Sequence, residues 1–257
     1  MTALLPDTVT LLAGVAVCFL GGLLGGLSGA GTGLIVAGFL TPIIGAKAVM
    51  PVLAVIMLIN NGSRVFYYRQ GVHWKLAAGM TAVALPGTWM GAHLYMALSI
   101  STLEFILGLA ILGVLAFRFA RRHHKIHGPS LNPNHSKWWI GTPLSLLYGF
   151  LNSLVPGSGV MILAFFSAIG LSAVSVIATD ALISLALNIA KIGLFRKLDG
   201  FPDHLLLLAI LCGLASVPGV WFARWLSHRL HQRTQQGLIE LVIAGSAAHL
   251  LIRALTP

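Results

Sequence analysis

The apolar run from residue 8 to residue 44 is too long for a single membrane-spanning helix. As one straight helix it would measure about 55 Å at 1.5 Å per residue, against a bilayer core of roughly 30 Å. A glycine-rich stretch, Gly29-Ala30-Gly31-Thr32-Gly33, lies inside the run. Because glycine disfavours a helix interior by about 1 kcal/mol relative to alanine, this stretch predicts a break where the chain turns back. The piece after the break is too short to span, which predicts a hairpin with a half-helix.

The composition indicates a membrane protein. Hydrophobic residues make up 57% of the 257 residues, charged residues only 9%, and the mean hydropathy is +0.91. A soluble domain carries roughly 25% charged residues. The apolar runs approach the roughly 20 residues that a bilayer-spanning helix needs. We therefore expect an all-α integral membrane protein, folded as one transmembrane domain over residues 1–257.

The net charge of +10 does not indicate a nucleic-acid partner. The basic residues lie between the apolar runs, where the cytoplasmic loops of membrane proteins carry them. The predicted partner is therefore the lipid bilayer. Cys18 and Cys212 lie inside apolar runs and are interpreted as small packing residues, not as a disulfide or a metal pair.

The sequence pattern of the first half recurs after residue 138, which predicts an internal repeat. Four anchors match in the same order: Gly31-Thr32-Gly33 with Gly157-Ser158-Gly159, Asn61-x-x-Arg64 with Asn188-x-x-Lys191, Pro86-Gly87 with Pro218-Gly219, and Glu104 with Glu240. The predicted repeats cover about residues 8–120 and 138–255, joined by a polar cytoplasmic linker at about 121–137. Each repeat is expected to hold a glycine-broken hairpin or half-helix and about three further transmembrane helices.

The relative orientation of the two repeats stays open on charge alone. An inverted arrangement and a parallel arrangement each place 11 of the 16 Lys and Arg residues in cytoplasmic loops. The positive-inside rule therefore does not separate them. If each hairpin counts as two segments, each half has five segments. An odd number places the second half in the opposite orientation, which favours two pseudo-symmetric inverted repeats.

Two glycine-rich motifs resemble those of the TauE/SafE family of sulfite and organosulfonate exporters. The first runs from Gly22 to Gly33 as GLLGGLSGAGTG, and the second runs from Gly149 to Gly159 as GFLNSLVPGSG. The family pattern has Gly-x-Gly-Gly-Gly in both halves, and here Thr32 and Ser158 occupy a middle glycine. The resemblance covers nearly the whole chain apart from the central linker. It implies a membrane permease for small, often sulfur-containing anions, with export across the bacterial inner membrane.

The paired glycine breaks are the candidate substrate site. Helices that begin at Thr32 and Ser158 would point their free N–H groups and positive dipole ends into the protein, which favours an anion. The two hydroxyl residues would cap these helices and donate to an oxyanion. The backbone could approach the ligand closely at four glycines, Gly31, Gly33, Gly157 and Gly159. The alternative is close helix packing through small residues, which does not explain two matched breaks.

Polar residues that follow each break are further candidates. Asn61 and Arg64 share one helix face, as do Asn188 and Lys191, because residues three apart are neighbours on a helix. These amides and that of Asn60 would donate hydrogen bonds to an oxyanion, and the two cations would attract it. The alternative is that the cations extend to the membrane surface from helix ends.

Asp180 lies in the middle of an apolar segment and has no charged neighbour in the sequence. An ionisable residue at that depth indicates a functional site. It would either take up a proton that is coupled to transport or pair with Lys191 or Arg64. The structural alternative is that it accepts hydrogen bonds from the amides of a broken helix.

Together these features predict a multi-pass transporter of small anions, such as sulfite or an organosulfonate, that works by alternating access around a central site. The alternatives are an anion channel and a membrane scaffold that transports nothing. No nucleophile–base pair and no HExxH motif indicates an enzyme, and no cofactor or metal is expected. The predicted location is the bacterial inner membrane, and a homodimer is compatible with the sequence.

Overall fold

The computed structural model describes residues 8–29, 31–103, 105–106, 109 and 138–227. The predicted linker at 121–137, the anchors Glu104 and Glu240 and the last apolar segment at 235–255 lie outside the described residues. All regular secondary structure in the described ranges is helical, which confirms the all-α prediction.

Eight α-helices have both of their ends in the described ranges: α1 (Thr8–Ser28), α2 (Thr32–Ile44), α3 (Ala46–Tyr68), α4 (Trp74–Ala97), α5 (Trp138–Leu154), α6 (Gly159–Ala168), α7 (Ala173–Lys197) and α8 (Leu206–Ser227). Single 3-10 turns at Arg69–Gly71 and Asp203–Leu205 precede α4 and α8. Within the described residues, three helical stretches are long and apolar enough to cross a membrane: Ala46–Gly71, Ala173–Lys197 and Asp203–Leu226.

The turn between α1 and α2 falls in the glycine-rich stretch. Gly29 has a φ of 77° and Gly31 a φ of 120°, in a region that residues with a side chain rarely adopt. The Gly29 N–H still donates to the Gly25 carbonyl oxygen at 2.8 Å, so the helical bonding of α1 continues up to this residue. The two glycines then allow the chain to turn and begin α2 at Thr32.

A similar turn separates α5 from α6, at Gly157 with a φ of 86°. The helices that follow the two turns are short, with 13 residues in α2 and 10 in α6. At 1.5 Å per residue they measure about 20 Å and 15 Å, so neither crosses a core of roughly 30 Å. Gly45 and Gly170, with φ of 82° and 83°, follow these helices closely. Each half therefore contains one short helix between glycine turns.

The closest helix contacts join α1 to α8 and α4 to α5. A Cβ placed on Gly22 of α1 would lie 2.2 Å from the Ser216 carbonyl oxygen of α8. A Cβ placed on Gly87 of α4 would lie 2.1 Å from the Leu146 carbonyl oxygen of α5. Small residues that let backbones touch in this way are typical of helix pairs in membranes. The first helix of each half thus packs on the Pro-Gly helix of the other half.

The order of the contacts gives the direction of each helix pair. Helices α1 and α8 run parallel, because Gly14, Gly22 and Gly26 contact Cys212, Ser216 and Ala223 in that order. Helices α4 and α5 also run parallel, with Gly87 against Leu146 and Gly91 against Phe150. Helix α3, together with the 3-10 turn that follows it, runs antiparallel to α7. Gly71 lies against Val174, Arg64 against Asp180 and Gly62 against Leu185.

The helices expose apolar side chains and bury polar ones. Leu12, Phe66, Trp74 and Ile189 are each more than half exposed, at 64%, 65%, 62% and 59%. By contrast, the polar side chains in the middle of α3 and α7 are buried. This is the reverse of the usual distribution in a soluble domain, and it suits a protein whose outer surface faces lipid.

The contact between α4 and α5 should tolerate no side chain at Gly87. We expect Gly87→Ala to lower the free energy of unfolding by about 1–3 kcal/mol, because the added methyl group would overlap backbone that cannot move aside alone. The measurement is the apparent melting temperature of the purified protein in detergent.

The matched control is Gly193→Ala in α7, where a Cβ meets nothing within 4 Å. This substitution should leave the melting temperature unchanged or raise it, since alanine is favoured over glycine in a helix by about 1 kcal/mol. If the melting temperature of Gly87→Ala equals or exceeds that of the wild type, the close contact between α4 and α5 is contradicted.

Candidate functional site

The two glycine turns meet at a cavity of about 70 Å³. They are close neighbours, because a Cβ placed on Gly33 would lie 3.8 Å from the Gly157 nitrogen and 3.9 Å from the Pro156 Cβ. About 10–15 Å³ of such volume is enough to hold one water molecule, so the cavity has room for a small ligand. It is lined by every residue predicted for the site except Asn60: Gly31, Thr32, Gly33, Asn61, Arg64, Gly157, Ser158, Gly159, Asp180, Asn188 and Lys191.

One stripe of α3 and one stripe of α7 form the facing walls. The stripe of α3 consists of Leu53, Met57, Asn61 and Arg64, and that of α7 consists of Asp180, Ser184, Asn188 and Lys191. Both stripes follow the same spacing of four, four and three residues, which keeps the side chains on one helix face. The matched Asn and cation positions of the two halves therefore lie on corresponding faces.

Arg64 connects the first turn to both walls. Its Nη1 donates to Asn61 Oδ1 at 2.9 Å, and its Nη2 donates to the Gly29 carbonyl oxygen at 3.0 Å. The same Nη2 lies 3.4 Å from the Ile177 carbonyl oxygen and 3.4 Å from Asp180 Oδ2. The Arg64 and Asp180 side chains are only 3% and 2% exposed. Of the two cations predicted as partners of Asp180, the structure therefore pairs it with Arg64.

The second oxygen of Asp180 is held from α5. The Tyr148 hydroxyl donates to Asp180 Oδ1 at 3.3 Å and shares a hydrogen bond of 2.8 Å with Ser184 Oγ. The carboxylate also lies beside the start of α6, since a Cβ placed on Gly159 would be 3.7 Å from Oδ1. Asp180 is thus fixed between a guanidinium and a phenol at the edge of the cavity.

Lys191 brings a second cation to the cavity. Its side chain is 4% exposed, and its ammonium donates to the Asn152 carbonyl oxygen at 3.2 Å. No carboxylate of the described residues forms an ion pair with it. An ammonium has three protons to donate, and a buried charge without a counter-ion is unfavourable. The alternative prediction that Arg64 and Lys191 extend to the membrane surface is wrong, because both are buried.

Several buried polar atoms of the cavity wall lack a hydrogen-bond partner. They are Asn61 Nδ2, Arg64 Nε, Asn152 Oδ1 and Asn188 Oδ1. Buried polar atoms are almost always paired in native proteins, so a group of four around one small space is unusual. All four belong to residues that line the cavity, so its wall contains polar groups that no described residue satisfies.

Two details of the predicted site are corrected by the structure. Gly31, not Thr32, is the N-cap of α2, and no side chain caps this helix. The Thr32 hydroxyl instead donates to the Gly21 carbonyl oxygen of α1 at 2.8 Å, because the tight turn brings α2 back along α1. Asn60 is fully buried but does not line the cavity, since consecutive residues on a helix point about 100° apart.

Sequence reasoning missed three polar residues of the cavity wall: Tyr148, Asn152 and Ser184. Ser184 could have been found, because it lies four residues before Asn188 and four after Asp180 on the same helix face. Tyr148 and Asn152 precede the second glycine turn on α5, and their direction depends on how α5 packs. Among the described residues, no group of three or more His, Cys, Asp or Glu side chains gathers in a way that could hold a metal.

Comparison with known proteins identifies the family of the chain. The model of the family described as Sulfite exporter TauE/SafE matches residues 14–250, which include both glycine turns and the polar faces of α3 and α7. No curated protein and no solved structure matches the chain. The family match spans nearly the full sequence, and the chain belongs to the TauE/SafE sulfite exporter family of membrane transport proteins.

Proposed function

We propose that the cavity between α3 and α7 is the binding site of a small anion, such as sulfite or a related oxyanion, which the protein carries across the membrane. The observation that carries this proposal is the buried Lys191 ammonium, which has no carboxylate partner among the described residues. A bound anion would supply the missing counter-charge. The unpartnered Asn61 Nδ2 and Arg64 Nε would donate to its oxygens.

The two short helices add backbone donors to the same site. α2 begins at Thr32 and α6 begins at Gly159, and both residues line the cavity. The first N–H groups of a helix have no partner within the helix, and the helix dipole is positive at this end. Two such ends directed at one cavity, together with unpartnered side-chain donors, form a favourable environment for an anion.

We also propose that the two halves are inverted repeats. The residues that match between the halves, Asn61 and Asn188, lie on α3 and α7, which run antiparallel across the cavity. Repeats related by an axis along the membrane normal would give matched helices that run in the same direction. The antiparallel register therefore supports an axis in the membrane plane, with the cavity close to it.

The transport step in this proposal is alternating access, with the packed helix pairs as the moving bodies. The glycine contacts between α1 and α8, and between α4 and α5, bring backbone against backbone. Such interlocked surfaces move together, because separating them would expose both helices. The two halves of the sequence are therefore intertwined, and the motion takes place between the α1–α8 pair and the α4–α5 pair, around the cavity. Asp180 as the residue of a coupled proton stays a prediction within this scheme.

An anion channel would use the same donors but needs no occluded state. A transporter exchanges labelled anion against an excess of unlabelled anion on the other side of the membrane, whereas a channel does not show such counterflow. Proteoliposomes loaded with sulfite separate the two functions. A scaffold would show neither flux nor binding.

Binding of an anion should depend on Lys191. We expect sulfite at about 100 times its Kd to stabilise the wild type by about 2.7 kcal/mol through mass action, and we expect this stabilisation to be lost in Lys191→Gln. The measurement is the thermal shift of purified protein over a sulfite titration.

The control for Lys191→Gln is Lys197→Gln, which removes an exposed cation from the end of the same helix. It should keep the full response to sulfite. A Lys191→Gln protein with the wild-type response, or a wild type that no small anion stabilises, would exclude the proposed site.

The two hydroxyl residues of the glycine turns should behave differently. Thr32→Ala removes the bond to the Gly21 carbonyl oxygen and should cost about 1 kcal/mol of stability without changing the Kd for sulfite. Ser158→Ala removes a hydroxyl that faces the cavity and should weaken binding by about fivefold, the equivalent of about 1 kcal/mol. Stability and Kd are measured on the same preparations.

The control is Thr32→Ser, which keeps the hydroxyl and should keep most of the stability. If Thr32→Ala weakens anion binding as strongly as Ser158→Ala does, the Thr32 hydroxyl belongs to the binding site after all, and its assignment to the α1–α2 turn is wrong.

Cross-linking tests which helices move. Cys18 and Cys212 are buried neighbours in the interface of α1 and α8. A cross-link between them should leave counterflow intact, because these helices move as one. In a background without native cysteines, Gly33→Cys with Pro156→Cys joins the two turns. The 3.9 Å between the Cβ positions suits a disulfide.

This second cross-link should abolish counterflow, and reduction should restore it. The opposite pattern, in which the Cys18–Cys212 link blocks transport and the link between the turns does not, would show that the moving bodies have been assigned wrongly.

A further inference from the structure

The charges around the cavity carry an inference about which anions it accepts, and this inference rests on the proposed function. Three lining side chains are charged in their ordinary states: Arg64, Lys191 and Asp180. Arg64 and Asp180 form an ion pair at 3.4 Å, which leaves the Lys191 ammonium as the excess charge. The described side chains that line the cavity therefore carry a net charge of about one positive unit, which one negative charge would neutralise.

We propose that the site selects singly charged oxyanions over doubly charged ones, and that Asp180 is the residue that sets this selectivity. A monoanion beside Lys191 makes the buried cluster neutral. A dianion would exceed the net charge of these side chains by one negative unit, and would place that charge beside the Asp180 carboxylate. Both consequences are unfavourable in a low-dielectric interior.

Asp180 cannot turn away from a second negative charge. One carboxylate oxygen is held by Arg64 and the other by the Tyr148 hydroxyl, which is itself held by Ser184. Turning the carboxylate out would leave the Arg64 guanidinium and the phenol without this acceptor. The Asp180 carboxylate is thus held in place in the wall, next to the first residue of α6.

The opposite wall gives a second, independent reason. This wall of α3 has Asn61 and Arg64 at one end and the apolar side chains of Met50, Leu53 and Met57 at the other. Leu53 and Met57 occupy the positions in the stripe of α3 that Asp180 and Ser184 occupy in the stripe of α7. These thioether and aliphatic groups donate no hydrogen bond. An oxyanion with oxygens on every side would leave one of them unpaired here, whereas a group of the form X–SO₃⁻ can turn its uncharged side to this wall.

Methanesulfonate and sulfate test this selectivity directly. Both have a tetrahedral sulfur with three oxygens in common, and the fourth oxygen of sulfate is replaced by a methyl group. They are similar in size and differ in charge. We expect purified wild-type protein at constant ionic strength to bind methanesulfonate at least about tenfold more tightly than sulfate. Calorimetric titration or thermal shift gives both Kd values, with sulfite as the reference anion.

The variant that tests the role of Asp180 is Asp180→Asn, which keeps the shape of the side chain and raises the net charge of the wall by one unit. We expect the preference to move toward sulfate by about tenfold or more. The control is Asp203→Asn, which removes an exposed carboxylate paired with Arg196 away from the cavity. It should keep the wild-type ratio of the two Kd values.

The possible results separate this inference from the proposed function. Sulfate that binds the wild type as tightly as methanesulfonate overturns the charge selectivity and leaves the anion site in place. A wild-type protein that binds methanesulfonate, sulfate and sulfite equally poorly overturns both. Asp180→Asn with an unchanged ratio removes Asp180 as the determinant. If this variant does not fold, the wild-type comparison of the two anions still decides the selectivity.

Discussion

The Arg64 guanidinium is the group on which the centre of this protein depends. It donates to the Gly29 carbonyl oxygen at the first turn, to Asn61 on its own helix and to Asp180 on α7. In a membrane interior each of these acceptors would otherwise lack a partner, at a cost of several kcal/mol. A planar group with five N–H donors can serve all of them at once, which the compact ammonium of a lysine cannot do. The Arg64 side chain of α3 thus gives the carbonyl at the broken end of α1 a hydrogen-bond partner.

The sequence predicts the parts of this centre that depend on local physics. The length of the apolar runs requires a turn near residue 30, and the helical period places Asn61 with Arg64 and Asn188 with Lys191. The direction of individual side chains depends instead on tertiary packing. Thr32 bonds to α1 because the turn is tight, and Tyr148 reaches Asp180 because α5 packs near α7. The sequence pattern does not predict that these two pairs of residues, Thr32 with Gly21 and Tyr148 with Asp180, come within hydrogen-bond distance.

The two halves share a backbone plan but not a set of side chains. The glycine turns and the short helices recur, so two helix N-termini reach one cavity. At corresponding positions of the stripes, however, α3 has Leu53 and Met57 where α7 has Asp180 and Ser184. A symmetric cavity would offer the same partners on both sides. Because of these differences the α7 wall is polar along its length, whereas the α3 wall is apolar at Leu53 and Met57 and polar at Asn61 and Arg64. An anion bound as proposed would therefore have a preferred orientation.

This arrangement also links occupancy to movement. The bonds from Arg64 join α3 to α7 across the cavity. In the proposed mechanism, a motion of the helix pairs around the cavity would change the surroundings of the Arg64–Asp180 pair and of Lys191. With the cavity empty, enclosing the Lys191 ammonium without a counter-charge is unfavourable. A bound anion of one charge removes that penalty and gives Arg64 Nε and Asn61 Nδ2 the partners that they lack. In the proposed mechanism, a closed state would therefore be stabilised most with the anion bound, which is the property that a carrier needs.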